Sequence, residues 1–244
     1  MTAMEGQSGP NQEALDHAGV RDYYDGVYHK YADVEARIPN HYRRLAKRFV
    51  PWWGKRLLDV GCGTGLWLRA VAELGAVTAG NDISQAAIDI CKRSLPQAQL
   101  HCGPAEHLPF ADRQFDFVSC LGALEHFLNP DAALREMSRV AKAEAGFLFL
   151  VPNADFLPRR WGLYSGTQQV AVHEQVRKLA EWQELFESAG FRIEARWKDL
   201  HVLTPSWIVN GSWYSWPLRA AQALALPCWP LCWQYQVYHQ CRLR

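Results

Sequence analysis

Net charge is nearly absent from the 244-residue sequence, which carries only +1 at pH 7. A chain that recruits nucleic acid by displacing counterions from phosphates needs a basic surplus, and this one has none. Arg43, Arg44, Lys47 and Arg48 share one predicted helix, where a solvated face accounts for them. Paired cysteines are missing too. The seven present are an odd number, scattered without Cys-x-x-Cys spacing, which indicates reduced thiols and a cytoplasmic protein. Cys228 and Cys232 lie among prolines and have no partners at zinc-finger spacing, so they read as packing residues. The apolar stretch 218–233 is too short and too broken by proline to span a bilayer. Residues 1–17 are polar and acidic rather than basic-then-apolar, so they are expected to form a disordered tail and not a leader. No internal repeat is visible. What is left is ordinary globular composition, 49% hydrophobic and 21% charged, long enough for one sizeable α/β domain with elaborations.

The most informative stretch present is Leu57-Leu58-Asp59-Val60-Gly61-Cys62-Gly63-Thr64-Gly65. It reads as an apolar strand ending in an acid, then glycines at alternate positions, then the apolar helix from Leu66. Such a turn bends sharply, carries no β-carbon to hold a ligand away, and presents helix-start N–H groups to it. A dinucleotide loop wants Gly-x-Gly-x-x-Gly, but here the third glycine comes one residue early and Leu66 stands in its place. Asp59 would also repel a pyrophosphate. A cation suits it better, and S-adenosylmethionine, with its sulfonium and ammonium, is such a ligand. About 20 residues further on, Asp82 ends a second predicted strand. An acid there can accept from both hydroxyls of a ribose. Ser84 follows as the predicted N-cap of a helix over 85–94.

The pattern Asp-x-Gly-x-Gly-x-Gly resembles motif I of the class I S-adenosylmethionine-dependent methyltransferases, and the similarity continues in order down the chain. Gly103-Pro104-Ala105-Glu106-His107-Leu108-Pro109-Phe110 with Phe115-Asp116-Phe117-Val118 is similar to the family's adenine-loop and fourth-strand segment. Leu124-Glu125-His126-Phe127, then Ala133 to Val140, then Phe147 to Asn153 match its later motifs. The likeness is close over 57–151 and looser to 191, in the branch that includes the ubiquinone and menaquinone methyltransferases. It implies a Rossmann-like α/β fold: a seven-stranded, mostly parallel sheet with helices on both faces and an antiparallel final strand. It also implies cofactor contacts at Asp59, Gly61, Gly63, Gly65, Asp82, Ile83, Ala105, Glu106 and Leu121. Two departures stand out. Pro104 replaces the aspartate that accepts from the adenine amino group, leaving the Ala105 N–H and Glu106 to substitute. Residues 141–146 replace the family's Leu-Lys-Pro-Gly-Gly turn.

Three parts of the chain follow from this reading: the tail over 1–17, lid helices over 18–50, and the methyltransferase domain over 51–244. That domain carries a Trp-rich insertion at about 199–232. Tyr23, Tyr24 and Tyr28 of the lid and Trp207 of the insertion are candidates for acceptor contact. The final strand is expected over 231–238. Methyl transfer is an in-line displacement on an activated carbon, so the protein must align the acceptor and exclude water. An oxygen acceptor also needs a base. His126, after the fourth strand, is the first candidate and His173 the second. No metal is expected: the ubiquinone branch adds an upstream Glu to the Glu-His pair, and Gly122 holds that place here.

The acceptor is expected to be a small hydrophobic or aromatic metabolite methylated at oxygen, with no nucleic-acid partner. The Asn/Asp-Pro-Pro-aromatic turn of amino methyltransferases is absent after Cys120-Leu121-Gly122-Ala123. The Trp-rich segment offers peripheral membrane contact or a homodimer face as further readings. A non-catalytic, cofactor-binding regulatory or scaffold protein is the alternative, with Pro104 as its argument.

Overall fold

The computed structural model describes residues 16–28, 37–160, 174–200, 209 and 213–244. Among these, one sheet holds β1 (Arg56–Val60), β2 (Val77–Asp82), β3 (Gln99–Cys102), β4 (Phe115–Leu121), β5 (Ala141–Pro152), β6 (Phe191–Lys198) and β7 (Gln236–Leu243). The strand order is β3-β2-β1-β4-β5-β7-β6. Strands β1 to β5 pair in parallel, and β7 runs against both β5 and β6. The chain winds outward from β1 to β3 and then returns to β4 on the other side of β1. That reversal opens a crevice at the carboxyl ends of β1 and β4, where open α/β sheets hold ligands.

Period-two alternation sends neighbouring strand residues into two separate cores. Leu57, Phe117, Leu148, Leu150 and Tyr238 pack with α2 (Asn40–Arg48), α3 (Leu66–Ala72) and α4 (Gln85–Ser94) through Ala46, Trp67, Leu68 and Ile88. Leu58, Val118, Phe147, Phe149 and Val151 pack on the other face with α5 (Pro130–Val140) and α6 (Leu179–Ser188) through Leu134, Met137, Trp182 and Phe186. Buried indoles find acceptors: Trp182 Nε1 donates to the Pro152 carbonyl at 2.8 Å. The predicted cap forms, with Ser84 accepting from the Ala87 N–H at the start of α4, and Asn129 accepts in the same way from the Ala132 N–H at the start of α5.

Three boundaries differ from expectation. Helix α1 (His17–Tyr23) opens inside the stretch expected as a disordered tail, because Asp16 accepts from the Gly19 N–H at 2.9 Å and caps it. It runs into a π-helical turn, Tyr24–Tyr28. Helix α5 passes into β5 with no intervening turn, and the pairing jumps from Phe115↔Ala141 to Phe117↔Gly146. The departure at 141–146 is therefore a bulge at the start of a strand. Finally, residues 231–233 form a 3-10 turn, so the last strand is Gln236–Leu243 rather than 231–238.

That last shift has an identifiable cause. Buried Asn153, at the exit of β5, donates through Nδ2 to the Cys232 carbonyl at 2.7 Å and the Gln234 carbonyl at 3.1 Å. Its Oδ1 accepts from the Asp155 N–H. Buried Gln234 in turn donates to the Leu226 carbonyl at 2.7 Å. These bonds hold the chain between α7 (Trp216–Ala225) and β7 outside the sheet. Asn153→Ala is expected to cost roughly 1–3 kcal/mol by orphaning those carbonyls. A urea unfolding midpoint unchanged from wild type would count against this anchoring role.

Candidate functional site

At the β1–β4 crevice lies a cavity of about 300 Å³. Its floor is the loop after β1, where Gly61, Gly63 and Gly65 have φ of 73°, 52° and 81°. Only glycine adopts such angles without strain. At Gly65, which precedes α3, a β-carbon would also collide with Cys91 Sγ. The loop is tied to the neighbouring strand: the Gly63 N–H donates to Asp82 Oδ2 at 2.7 Å, while Asp82 Oδ1 accepts from the Ser84 N–H at 2.9 Å. Asp82 thus shapes the loop as well as facing the cavity.

Asp59 also lines the cavity and is only 3% exposed. In the β1–β4 register it sits opposite Ser119, whose hydroxyl donates to Asp59 Oδ1 at 2.6 Å. Ser119 Oγ accepts in turn from Trp67 Nε1 at 2.9 Å. Burial pushes the Asp59 carboxyl up to about 7, against the lowering effect of the Ser119 bond and with a further push from Asp82. A carboxyl in that state gains much from an incoming cation. The cavity wall holds three carboxylates, Asp59, Asp82 and Glu106, and among the described residues no lysine or arginine. Such a donor set fits a sulfonium or ammonium and opposes a pyrophosphate.

Of the predicted cofactor residues, Asp59, Gly61, Gly63, Asp82, Ile83, Ala105, Glu106 and Leu121 line this cavity, and Gly65 belongs to the same loop without lining it. Glu106 is more constrained than expected. Its Oε1 accepts from the Asn129 N–H at 3.0 Å, and its Oε2 lies 3.4 Å from His17 Nε2.

Of the candidates for catalysis and acceptor contact, His126 and Tyr24 line the cavity, their rings 6.4 Å apart and edge-on. Burial pushes the His126 imidazole down to about 4, so it is neutral at physiological pH, and its Nδ1 is buried without a hydrogen-bond partner. Its neighbour Glu125 is buried away from the cavity and pushed up to about 8 by burial first and by Glu174 second. Tyr23 packs edge-on against Tyr24 at 5.5 Å, outside the cavity wall. Tyr28 closes the π-helical turn. His173 and Trp207 lie outside the described residues.

His17, Tyr42, Trp67, Asn81, Phe127 and Leu128 also line the cavity and were not singled out from the sequence. Trp67 and Ser119 reach Asp59 only through strand register and helix packing, which no local spacing encodes. His17 carried a readable signal, since Asp16 stands where a cap would start a helix bearing Val20, Tyr23 and Tyr24.

Comparisons with known proteins agree with this geometry. Residues 58–149 match the family model of the methyltransferase domain. The ubiquinone biosynthesis O-methyltransferase of Coxiella burnetii is 30% identical over 154 residues, which cover 57% of this chain and 64% of that protein. The chain thus spans somewhat under two thirds of the length of that curated relative. Among solved structures, a Haloferax volcanii methyltransferase in complex with its Trm112 activator superposes with a TM-score of 0.71 at 18% identity, covering 92% of this chain and 97% of that one. The magnesium protoporphyrin IX methyltransferase of Synechocystis, solved with S-adenosylhomocysteine bound, gives 0.60 at 17% identity, covering 94% and 100%. These two share the fold.

The Asp59 proton makes stability depend on pH. Between the carboxyl's ordinary 3.8 and its folded value of about 7, the native chain keeps a proton that the unfolded chain has lost. Its contribution is therefore fully present below about 4 and is lost as pH rises through about 7. At about 1.4 kcal/mol per pH unit this amounts to something on the order of 4 kcal/mol. Glu125 acts in the same direction, while His126 and His239, both pushed down to about 4, act in the opposite one. The difference between wild type and Asp59→Asn isolates the effect. Wild type is expected to lose stability relative to the variant from pH 4 to 7, and parallel urea-unfolding profiles of the two proteins would contradict it.

Proposed function

We propose that this chain, a member of the class I S-adenosylmethionine-dependent methyltransferases, transfers a methyl group from that cofactor to an oxygen of a small hydrophobic or aromatic metabolite, without a metal. The observation that carries this reading is the glycine-floored cavity walled by three carboxylates and, among the described residues, no lysine or arginine. The loop over Gly61–Gly65 would lie under the cofactor, Asp59 would face its cationic end, and the outward lone pairs of Asp82 would receive the ribose hydroxyls. Ile83, Ala105 and Leu121 supply apolar contact around the base and the thioether, and Glu106 faces the base edge.

When bound, the cofactor supplies a methyl carbon already activated by its sulfonium. The chain's own residues then have three tasks. Tyr24, Tyr42, Phe127 and Leu128 wall the space beside Leu121 and His126, where an apolar acceptor would be oriented and water excluded. His126, neutral and with an unpartnered Nδ1, would hold or take the proton of the acceptor hydroxyl. Gly122 offers no carboxylate beside the Glu125–His126 pair, so the reading involves no metal. The relatives named ubiquinone biosynthesis O-methyltransferases support both the oxygen and an aromatic, lipid-like acceptor. Pro104 favours a second reading, a cofactor-binding regulatory or scaffold protein without turnover, since it removes an acceptor from the base loop.

Calorimetry with S-adenosylhomocysteine tests the cavity. Gly63→Val and Asp82→Ala are each expected to weaken binding by at least about tenfold, the scale of one charge-assisted bond. Unchanged affinity in both would remove the assignment. His126→Ala is expected to slow turnover of a catechol-like acceptor by about 10²-fold or more with cofactor affinity retained. Tight cofactor binding without turnover of any phenolic or quinol acceptor would favour the scaffold reading.

The Trp-rich segment supports peripheral contact with a bilayer. No aspartate or glutamate occurs over 200–244, and the segment itself carries Arg219, whereas Arg242 in the last strand and Arg244 just after it are ion-paired with Glu194 and Glu187. Trp213, Tyr214 and Leu224 are 76%, 72% and 80% exposed. Tryptophan and tyrosine with this charge pattern suit an anionic headgroup region. Among the described residues no helix is long and apolar enough to cross a membrane. Wild type is expected to co-sediment with phosphatidylglycerol vesicles, and Trp213→Ser with Tyr214→Ser to weaken this. Concentration-dependent dimers with no vesicle binding would assign the face to a second copy instead.

A further inference from the structure

The N-terminal helix α1 and its π-helical turn contribute His17, Val20 and Tyr24 to the wall of the cavity. They are fastened to the body at the carboxyl end of β2. Arg21 Nε donates to the Ile83 carbonyl at 3.2 Å. Asp25 Oδ1 accepts from the Ser84 hydroxyl at 2.5 Å and from the Ala86 N–H at 3.0 Å. A carboxylate from 60 residues away thus satisfies an otherwise orphaned N–H in the first turn of α4, where the helix dipole favours negative charge. Ser84 caps α4 and meets Asp25 at once, accepting from the Ala87 N–H at 3.1 Å.

The same helix reaches the loop after β3. His17 Nε2 is buried, has no aligned hydrogen-bond partner, and lies 3.4 Å from Glu106 Oε2. The opposite oxygen of Glu106 is held by the Asn129 N–H at 3.0 Å. His17 Nε2 therefore faces Glu106 Oε2 at the Gly103–Glu106 end of the cavity with no aligned hydrogen bond of its own. A buried polar atom in that state favours a ligand that completes it. Pro104, beside them, has no N–H to offer.

We propose that residues 17–25 form a strap over the nucleoside end of the cavity, latched to α4 by Arg21 and Asp25, and that His17 and Glu106 together read the edge of the base. The proposal rests on the functional reading above, which places the ribose at Asp82 and the base at Ala105. It assigns recognition of the 6-amino group to a pair split between strap and body, so that base recognition and closure occur together. Exchange of the nucleoside then requires the Asp25 and Arg21 latch to open.

The test uses the full chain with S-adenosylhomocysteine and with its 6-oxo analogue, S-inosylhomocysteine. Wild type is expected to bind the amino form at least about tenfold more tightly, since a site built to receive an N–H rejects an analogue lacking it. His17→Ala and Glu106→Gln are expected to reduce that preference to about twofold or less, where a purely structural role would weaken both ligands alike. Asp25→Asn, with Arg21→Ala as a second variant on the same latch, is expected to speed S-adenosylhomocysteine dissociation by about tenfold in stopped flow. Both latch variants should keep the preference for the amino form. An undiminished preference in His17→Ala and Glu106→Gln would overturn the base-reading pair, and unchanged dissociation in both latch variants would overturn the latch. Failure of wild type to bind either nucleoside would instead remove the functional reading itself, and the strap's role with it.

Discussion

The bond from the Gly63 N–H to Asp82 is the constraint on which the rest of the site depends. It joins the loop after β1 to the tip of β2, so that an irregular turn takes one shape at the point where the sheet reverses its winding order. The positive φ angles at Gly61, Gly63 and Gly65 make that shape sterically accessible, and Asp82 holds it there. The second oxygen of the same carboxylate fixes Ser84, Ser84 caps α4, and Asp25 closes over both. One acid thereby connects the glycine loop, the start of α4 and the N-terminal segment, so a substitution at Asp82 acts on all three together.

Electrostatics give the cavity its selectivity. Asp59 costs free energy to ionise where it stands, since burial outweighs the help of Ser119. Among the described lining residues the chain offers no lysine or arginine to favour the ionised form, which a cationic ligand would do. This is the reverse of a phosphate site, in which the protein brings the positive charge and the ligand the negative. His126 fits the same logic. Its burial keeps the imidazole neutral, so it adds no positive charge to the cavity wall, and its Nδ1 is buried with no hydrogen-bond partner.

Much of the architecture was legible because it is local. Alternation of Leu57 with Leu58 and of Leu148 with Phe149 announces a sheet buried on both faces, and the two cores divide these residues accordingly. The caps at Ser84 and Asn129 need only their own helices. The final strand was misplaced for an equally physical reason. Residues 233–238 alternate like a strand, but Asn153 captures the carbonyls of Cys232 and Gln234 and keeps them out of the ladder until Gln236. A side chain some 80 residues away decides that boundary, and local pattern does not contain it.

The sequence by itself determined the order of elements, the three-glycine turn, and acids at the tips of β1 and β2, since each follows from backbone angles or side-chain period within a few residues. Tertiary structure alone decided that Asp59 faces Ser119, that the oxygens of Glu106 are divided between Asn129 and His17, and that Asp25 reaches α4. Those outcomes depend on strand register and on burial. Both arise from contacts between segments tens of residues apart, where the spacing of residue types along the chain carries no distance in space.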